Sequence, residues 1–228
     1  MLAADRIDRF NDFDGTESFL GGDNGNDTIF GGGKNDTIGG GNGNDVMFGK
    51  RGDDLIRGAA GDDLLNGGIG NDTLRGQAGN DTADYSDLTF NGVFGTVPGL
   101  DVNLSDRIAR HSSNNNSLTW TDTITTVENV IGTRRNDRFI GDNGDNVFDG
   151  QGEVNRRNRQ TQFTALNGEN YSVIADVVEY QGSQSDFTFT GSADNFTAVG
   201  SEGTDTLIAI EFVRFNADNS VVATSDLL

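Results

Sequence analysis

Apolar residues return at every ninth position through the first third of the chain: Ile29, Ile38, Met47, Ile56, Leu65, Leu74 and finally Ala83. A period of nine is neither the 3.6 of an amphipathic helix nor the 2 of a half-buried strand. A fixed period of this kind marks stacked repeats that share a continuous core. Aligned on these positions, Gly22–Asp84 divides without a gap into GDNGNDTIF, GGGKNDTIG, GGNGNDVMF, GKRGDDLIR, GAAGDDLLN, GGIGNDTLR and GQAGNDTAD. The nine places read glycine, glycine, any, glycine, any, Asp, any, apolar, any. Each unit is expected to make a six-residue turn and a three-residue strand, with the eighth-place side chain facing inward. A disordered acidic linker could share this composition, but it would not hold an apolar residue in phase through seven units.

Outside the array the pattern loosens. Asn11–Gly21 keeps Leu20 nine residues before Ile29 but has Ser18 in the sixth place, so it reads as a degenerate turn covering the end of the stack. Short strands are predicted at Gly99–Leu104 and Thr121–Ile131, with polar SSNNNS between them. Gly132–Ile140 and Gly141–Asp149 are two further units, with Asp137 and Asn146 in the sixth place and Phe139 and Phe148 in the eighth. Arg135 replaces a turn glycine and Asn146 is neutral, so at most one weak site is expected there. From Gly152 the period ends, and Asp176–Leu228 alternates polar with apolar residues, as in DFTFT and TLIAIEFVRF. That predicts a small antiparallel β cap with Ile208, Ile210, Phe212, Val213 and Phe215 as candidate core.

The sixth place carries the candidate chemistry: Asp27, Asp36, Asp45, Asp54, Asp63, Asp72 and Asp81 recur at one spot per unit. Glycines around them (Gly22, Gly25, Gly40, Gly43, Gly49, Gly52, Gly58, Gly61, Gly67 and Gly70) allow tight turns that aim carbonyl oxygens inward. Carboxylates with carbonyls make an oxygen-only donor set, which suits Ca2+. Zinc finds no cysteine and one histidine, and magnesium keeps its waters and demands octahedral geometry. The candidate metal residues are therefore these aspartates and glycines, with Asp137 as the weaker addition. Lys34, Lys50 and Gln77 replace turn glycines, so the middle of the array is expected to bind best.

A formal charge of −20 argues against nucleic acid, whose recognition needs a basic patch. It also disfavours an anionic membrane surface. No apolar run reaches the ~20 residues of a spanning helix, and MLAADRIDRF lacks the apolar stretch of a secretory leader.

The third and sixth units, Gly40–Phe48 and Gly67–Arg75, match GGxGxDxUx at every defined place. That is the calcium-binding β-helix repeat of RTX proteins, and the chain resembles the hemolysin-type, or RTX, family of secreted bacterial proteins. VENVIGTRRNDRFIGDNGDNVFDGQG and DTLIAIEFVRFNADNSV are similar to segments that accompany such arrays. The resemblance implies an all-β fold: a calcium-binding parallel β-roll (right-handed β-solenoid) with an inserted β region and a C-terminal β cap. The expected divisions are a cap over 1–18, the roll over 19–87, the insertion over 88–131, a second repeat tract over 132–152 and the C-terminal cap over 153–228. Two units would complete one coil, stacking Asp27, Asp45, Asp63 and Asp81 on one edge and Asp36, Asp54 and Asp72 on the other. Pairs two units apart would then allow about five calcium sites. The resemblance further implies export by type I secretion machinery, guided by an uncleaved C-terminal signal that Asp226-Leu227-Leu228 resembles, and an extracellular location. Seven apolar side chains bury too little surface to order the array against chain entropy and carboxylate repulsion, so folding is expected to require the metal.

No enzyme is expected. His111 is the single histidine and lies in the polar stretch IARHSSNNNS, where an exposed loop residue without a role is expected. HExxH and a nucleophile elbow are both absent. Two alternatives stay open: a carbohydrate-binding auxiliary module, in which Arg156, Arg157 and Arg159 would hold an acidic polysaccharide, and the C-terminal piece of a larger toxin or hydrolase.

Overall fold

The computed structural model describes residues 9–11, 19–88, 99–112, 119–151, 161–164, 170–173, 176–192 and 194–228. Among the described residues the only helical elements are two 3-10 turns, Gln184–Asp186 and Thr224–Asp226; all other elements are strands. Two compact units result. The first comprises Met1–Leu88, Arg107–Ala109 and Trp120–Asn129, and the second Thr89–Asp106, Arg110–Thr119 and Val130–Leu228.

In the first unit successive repeats contribute strands to two sheets in turn. Thr28–Gly32, Val46–Arg51, Leu64–Ile69 and Thr82–Asp84 pair in parallel in one sheet. Phe19–Asn24, Thr37–Asn42, Leu55–Ala60 and Thr73–Ala78 do so in the other. The register is fixed by the repeat: Ile29, Met47, Leu65 and Ala83 align in one sheet, and Ile38, Ile56 and Leu74 in the other. Two units therefore complete one coil of a parallel β-roll. All seven eighth-place side chains are fully buried, and the six larger than alanine each contribute roughly 1.5–3 kcal/mol by removal from water.

The strands are longer than the three residues expected. Leu55–Ala60, for example, runs through places seven to nine of one unit and one to three of the next. The turn proper then shrinks to places four to six, where the chain must reverse in little space. Gly70 (φ +154°) is the tightest case, because a Cβ there would collide with the Gly52 carbonyl.

Trp120–Asn129, placed by sequence in the inserted region, lies in the first unit. Its residues Thr123–Thr125 pair in parallel with Thr73–Arg75, and Ile124 continues the column of Leu74.

The second unit mixes roll and cap. Asp101–Asn103, Arg138–Ile140, Val177–Tyr180 and Phe212–Phe215 are parallel neighbours, as are Val147–Asp149 and Gly203–Ile208. Antiparallel pairs join Ser220–Ala223 to Phe212–Phe215, Asn195–Gly200 to both Thr188–Ser192 and Gly203–Ile208, and Thr161–Thr164 to Asn170–Val173. The expected small antiparallel β cap is thus corrected in part, because Val177–Tyr180 and Phe212–Phe215 pair in parallel. Val177–Tyr180 is buried at every position, which suits a coil covered on both faces. Val213, Phe215 and Ile210 are core; Ile208 is half-buried because alternation along its strand turns Leu207 inward instead, and Phe212 is half-buried at the start of its own strand.

His111 corrects another expectation. It sits in the strand Ile108–Ser112 and is only 3% exposed. Arg156, Arg157 and Arg159 lie outside the described residues.

Candidate metal centre

Stacking the repeats turns a sequence period into a ladder of carboxylates. The backbone N–H of Asp27 donates to Asp45 Oδ1 at 2.8 Å, that of Asp45 to Asp63 at 2.8 Å, and that of Asp63 to Asp81 at 2.9 Å. On the other edge Asp36 donates to Asp54 at 2.7 Å and Asp54 to Asp72 at 2.8 Å. These are the five pairs that the family resemblance implied. Every sixth-place aspartate of the array is at most 2% exposed.

One oxygen of each of the five accepting carboxylates is thus satisfied. The second Oδ of Asp45, Asp54, Asp63, Asp72 and Asp81 is buried with no hydrogen-bond partner. A buried anionic oxygen without a partner is costly, and it raises the acid's pKa. Burial is the main cause in each case: it pushes Asp54 and Asp81 up to about 6, Asp63 to about 7 and Asp72 to about 8. Asp72 is pushed further by the neighbouring Asp122 carboxylate. Asp45 moves the same way.

The first-place glycines face these oxygens. A Cβ on Gly31 would sit 2.7 Å from Asp36 Oδ2 and 2.7 Å from the Gly49 carbonyl oxygen. Gly22, Gly49 and Gly58 repeat this with Asp27, Asp54 and Asp63 and the carbonyls of Gly40, Gly67 and Gly76, while Gly40 and Gly67 abut Asp45 and Asp72. A side chain at the first place would fill a cradle in which carboxylate and carbonyl oxygens converge. Gly25, Gly43, Gly52, Gly61 and Gly70, in the fourth place, instead carry positive φ and make the reversal.

Two turn states separate the units. In six of them the second-place residue is left-handed: Asp23, Gly41, Lys50, Ala59, Gly68 and Gln77 have φ of 69°, 116°, 84°, 90°, 95° and 80°. For the non-glycine residues this costs roughly 1–2 kcal/mol each. Gly32, Thr133 and Asp142 are not left-handed, and there the second-place N–H turns onto the sixth-place side chain. Gly32 donates to Asp36 Oδ2 at 2.8 Å, Thr133 to Asp137 Oδ2 at 2.6 Å and Asp142 to Asn146 Oδ1 at 3.1 Å. Asp137 also accepts the Thr133 hydroxyl at 2.8 Å. These turns donate to the carboxylate or amide from within, whereas the second oxygen of Asp45, Asp54, Asp63, Asp72 and Asp81 has no donor.

Sequence reading overlooked two things. The fifth place is Asn or Asp in every unit of the array, and these side chains accept from the backbone one coil on. Asn26 takes the Asn44 N–H at 2.9 Å, Asn35 that of Asp53 at 2.9 Å and Asn44 that of Asp62 at 3.0 Å. The ladder also outruns the glycine pattern, since Asp72 donates to Asp122 and Asp137 to Asp176. Asp-Thr-Ile at 122–124 repeats places six to eight of the first unit, a signal legible without the glycines.

Among the described residues no three acidic, histidine or cysteine side chains converge. An ion held here would take few carboxylates and complete its shell with backbone carbonyls, which is the donor set of calcium. The unpartnered Oδ2 atoms and the glycine cradles fit that ion.

The extracellular lipase LipA from Serratia marcescens is similar to this chain at a TM-score of 0.23 and 14% identity, over 89% of this chain and 39% of the lipase chain. The chain thus spans well under half the length of that protein. No curated protein matches the sequence significantly. Residues 21–56, 48–83 and 125–154 match the family described as RTX calcium-binding nonapeptide repeat, and with its two-sheet parallel roll the chain is a carrier of hemolysin-type RTX repeats.

Proposed function

We propose that this protein binds a row of calcium ions along its aspartate ladder and folds on binding them outside the cell that makes it. One observation carries the reading: five buried Oδ2 atoms, on Asp45, Asp54, Asp63, Asp72 and Asp81, point into the stack without a donor. Bound calcium supplies positive charge and several oxygen bonds at each such place. Gly49, Gly58 and Gly67 keep room for it, and Asp54, Asp63 and Asp72 provide the anionic ligands. Without that charge the stacked carboxylates repel one another at close range.

Low calcium in the cytosol would leave the chain unfolded and fit for export by type I secretion machinery, and millimolar calcium outside would fold it. The role is binding and folding, with no catalytic step. Far-UV circular dichroism during a calcium titration, with magnesium as control, tests this. A cooperative rise of β signal near ~0.1–1 mM calcium, the range of extracellular modules, is expected. A spectrum indifferent to calcium sinks the reading.

A further inference from the structure

Each compact unit ends in the same way, and the nonapeptide pattern does not announce it. Thr121–Glu128 reads TDTITTVE and Thr204–Glu211 reads TDTLIAIE. In the first unit Asp122 Oδ1 accepts the Asp72 N–H at 2.9 Å, and its Oδ2 accepts the Tyr85 hydroxyl at 3.0 Å. In the second unit Asp205 Oδ1 accepts the Asn146 N–H at 3.0 Å, and its Oδ2 accepts the Tyr180 hydroxyl at 2.9 Å. Both tyrosines are about 1% exposed. Four residues after each aspartate stands a left-handed residue, Thr126 (φ 49°) and Ala209 (φ 52°).

Six residues after it stands a glutamate. Glu128 Oε2 accepts the Asp81 N–H at 2.9 Å, and Glu211 Oε2 accepts the Asp176 N–H at 3.0 Å. The left-handed residues turn their carbonyls to the cradles of first-place glycines. A Cβ on Gly76 would collide with Thr126 O and Asp81 Oδ2; one on Gly150 would meet Ala209 O at 2.7 Å and collide with Asp176 Oδ2. Within the array, Gly58 meets Asp63 Oδ2 and Gly76 O in the same way.

The geometry points to an asymmetric end on each unit. One edge closes with a composite divalent-cation site, made of Asp81, the Thr126 carbonyl and Glu128 in the first unit and of Asp176, the Ala209 carbonyl and Glu211 in the second. The other edge closes with an ion-free aspartate, Asp122 or Asp205, locked by a tyrosine hydroxyl. This rests on the calcium reading and extends it to residues outside the repeats. Asp81 is 0% exposed and its Oδ2 has no partner, so the first site contains an anion in need of a cation. The glutamate adds a second carboxylate and the left-handed residue a carbonyl, both suited to calcium's oxygen shell. On the opposite edge the tyrosine O–H donates to the oxygen that the array leaves open, so no ion is needed there.

Native mass spectrometry of the full chain in calcium counts the bound ions. Glu128→Gln keeps an acceptor for the Asp81 N–H while removing the charge, and Gly76→Ala fills the cradle. Each is expected to lower the count by one, as are Glu211→Gln and Gly150→Ala in the second unit, and E128Q/E211Q together by two. Tyr85→Phe and Tyr180→Phe should keep the wild-type count. Where one variant of a pair does not reach the wild-type far-UV spectrum in calcium, its companion is counted. An unchanged count in the glutamate and glycine variants overturns the composite sites, and an ion lost in the tyrosine variants overturns the ion-free edge. A wild-type chain that binds no calcium defeats the calcium reading itself, a different outcome from calcium-loaded variants that all match wild type.

Discussion

The array over Gly22–Asp84 and the short tract over Gly132–Asp149 share one nine-residue pattern but use it differently. In the array six of seven turns hold a left-handed second-place residue, and buried carboxylate oxygens are left for an ion. In the tract both turns fold the second-place N–H onto Asp137 or Asn146. Lys34 in the array and Arg135 in the tract each replace the fourth-place glycine of a self-satisfied turn. The third such turn keeps Gly144 but carries the neutral amide of Asn146, which demands no cation. A single period can therefore build either a metal-demanding coil or one that the backbone satisfies alone.

Calcium removal should produce the largest effect. Hydrogen exchange in a chelator is expected to lose protection across Thr28–Ala83 as a block; retained protection there would erase the distinction between array and tract. Next comes the shared apolar column. Leu65→Ala, at a fully buried position, should destabilise the calcium-loaded chain by about 2–5 kcal/mol, read by urea unfolding in excess calcium.

Asp205 gives a pH test on the second unit. Burial raises its pKa to about 6, against the opposing Tyr180 hydrogen bond. Because the folded value lies above the unfolded one, the native state binds the extra proton. Stability from this group is therefore present at low pH and lost as pH rises through about 6, on the order of 2–3 kcal/mol. Urea midpoints of wild type and Asp205→Asn, compared from pH 4 to 7 in calcium, should show the slope flattened in the variant. The smallest effect sharpens the comparison most. Asp63→Asn should weaken the calcium midpoint roughly tenfold, about 1.4 kcal/mol, while Asp137→Asn, whose carboxylate is already held by Thr133, should leave it nearly unchanged. Equal shifts would merge the two turn states.

Much of the ladder was legible in the chain. The ninth-residue return of Ile29 through Ala83 dictated a stacked core, and sixth-place aspartates at the same phase had to stack with it, since a fixed period carries every place of the unit along one column. The fifth-place Asn or Asp was equally visible, but its meaning required the neighbouring coil whose N–H it accepts. His111 was misread because its polar sequence neighbours suggest a loop, whereas the chain there forms the strand Ile108–Ser112.

What the sequence by itself determined is the repeat and the row of carboxylates, because both follow from periodicity; the two-unit coil came from the family resemblance. Tertiary structure alone decided which turns leave an oxygen for an ion, since that depends on whether a second-place N–H rotates inward. It also decided that Tyr85, Asp122 and Glu128, and their counterparts Tyr180, Asp205 and Glu211, end the ladders. Those residues lie tens of positions from the coils they complete, and only stacking brings their side chains onto those coils.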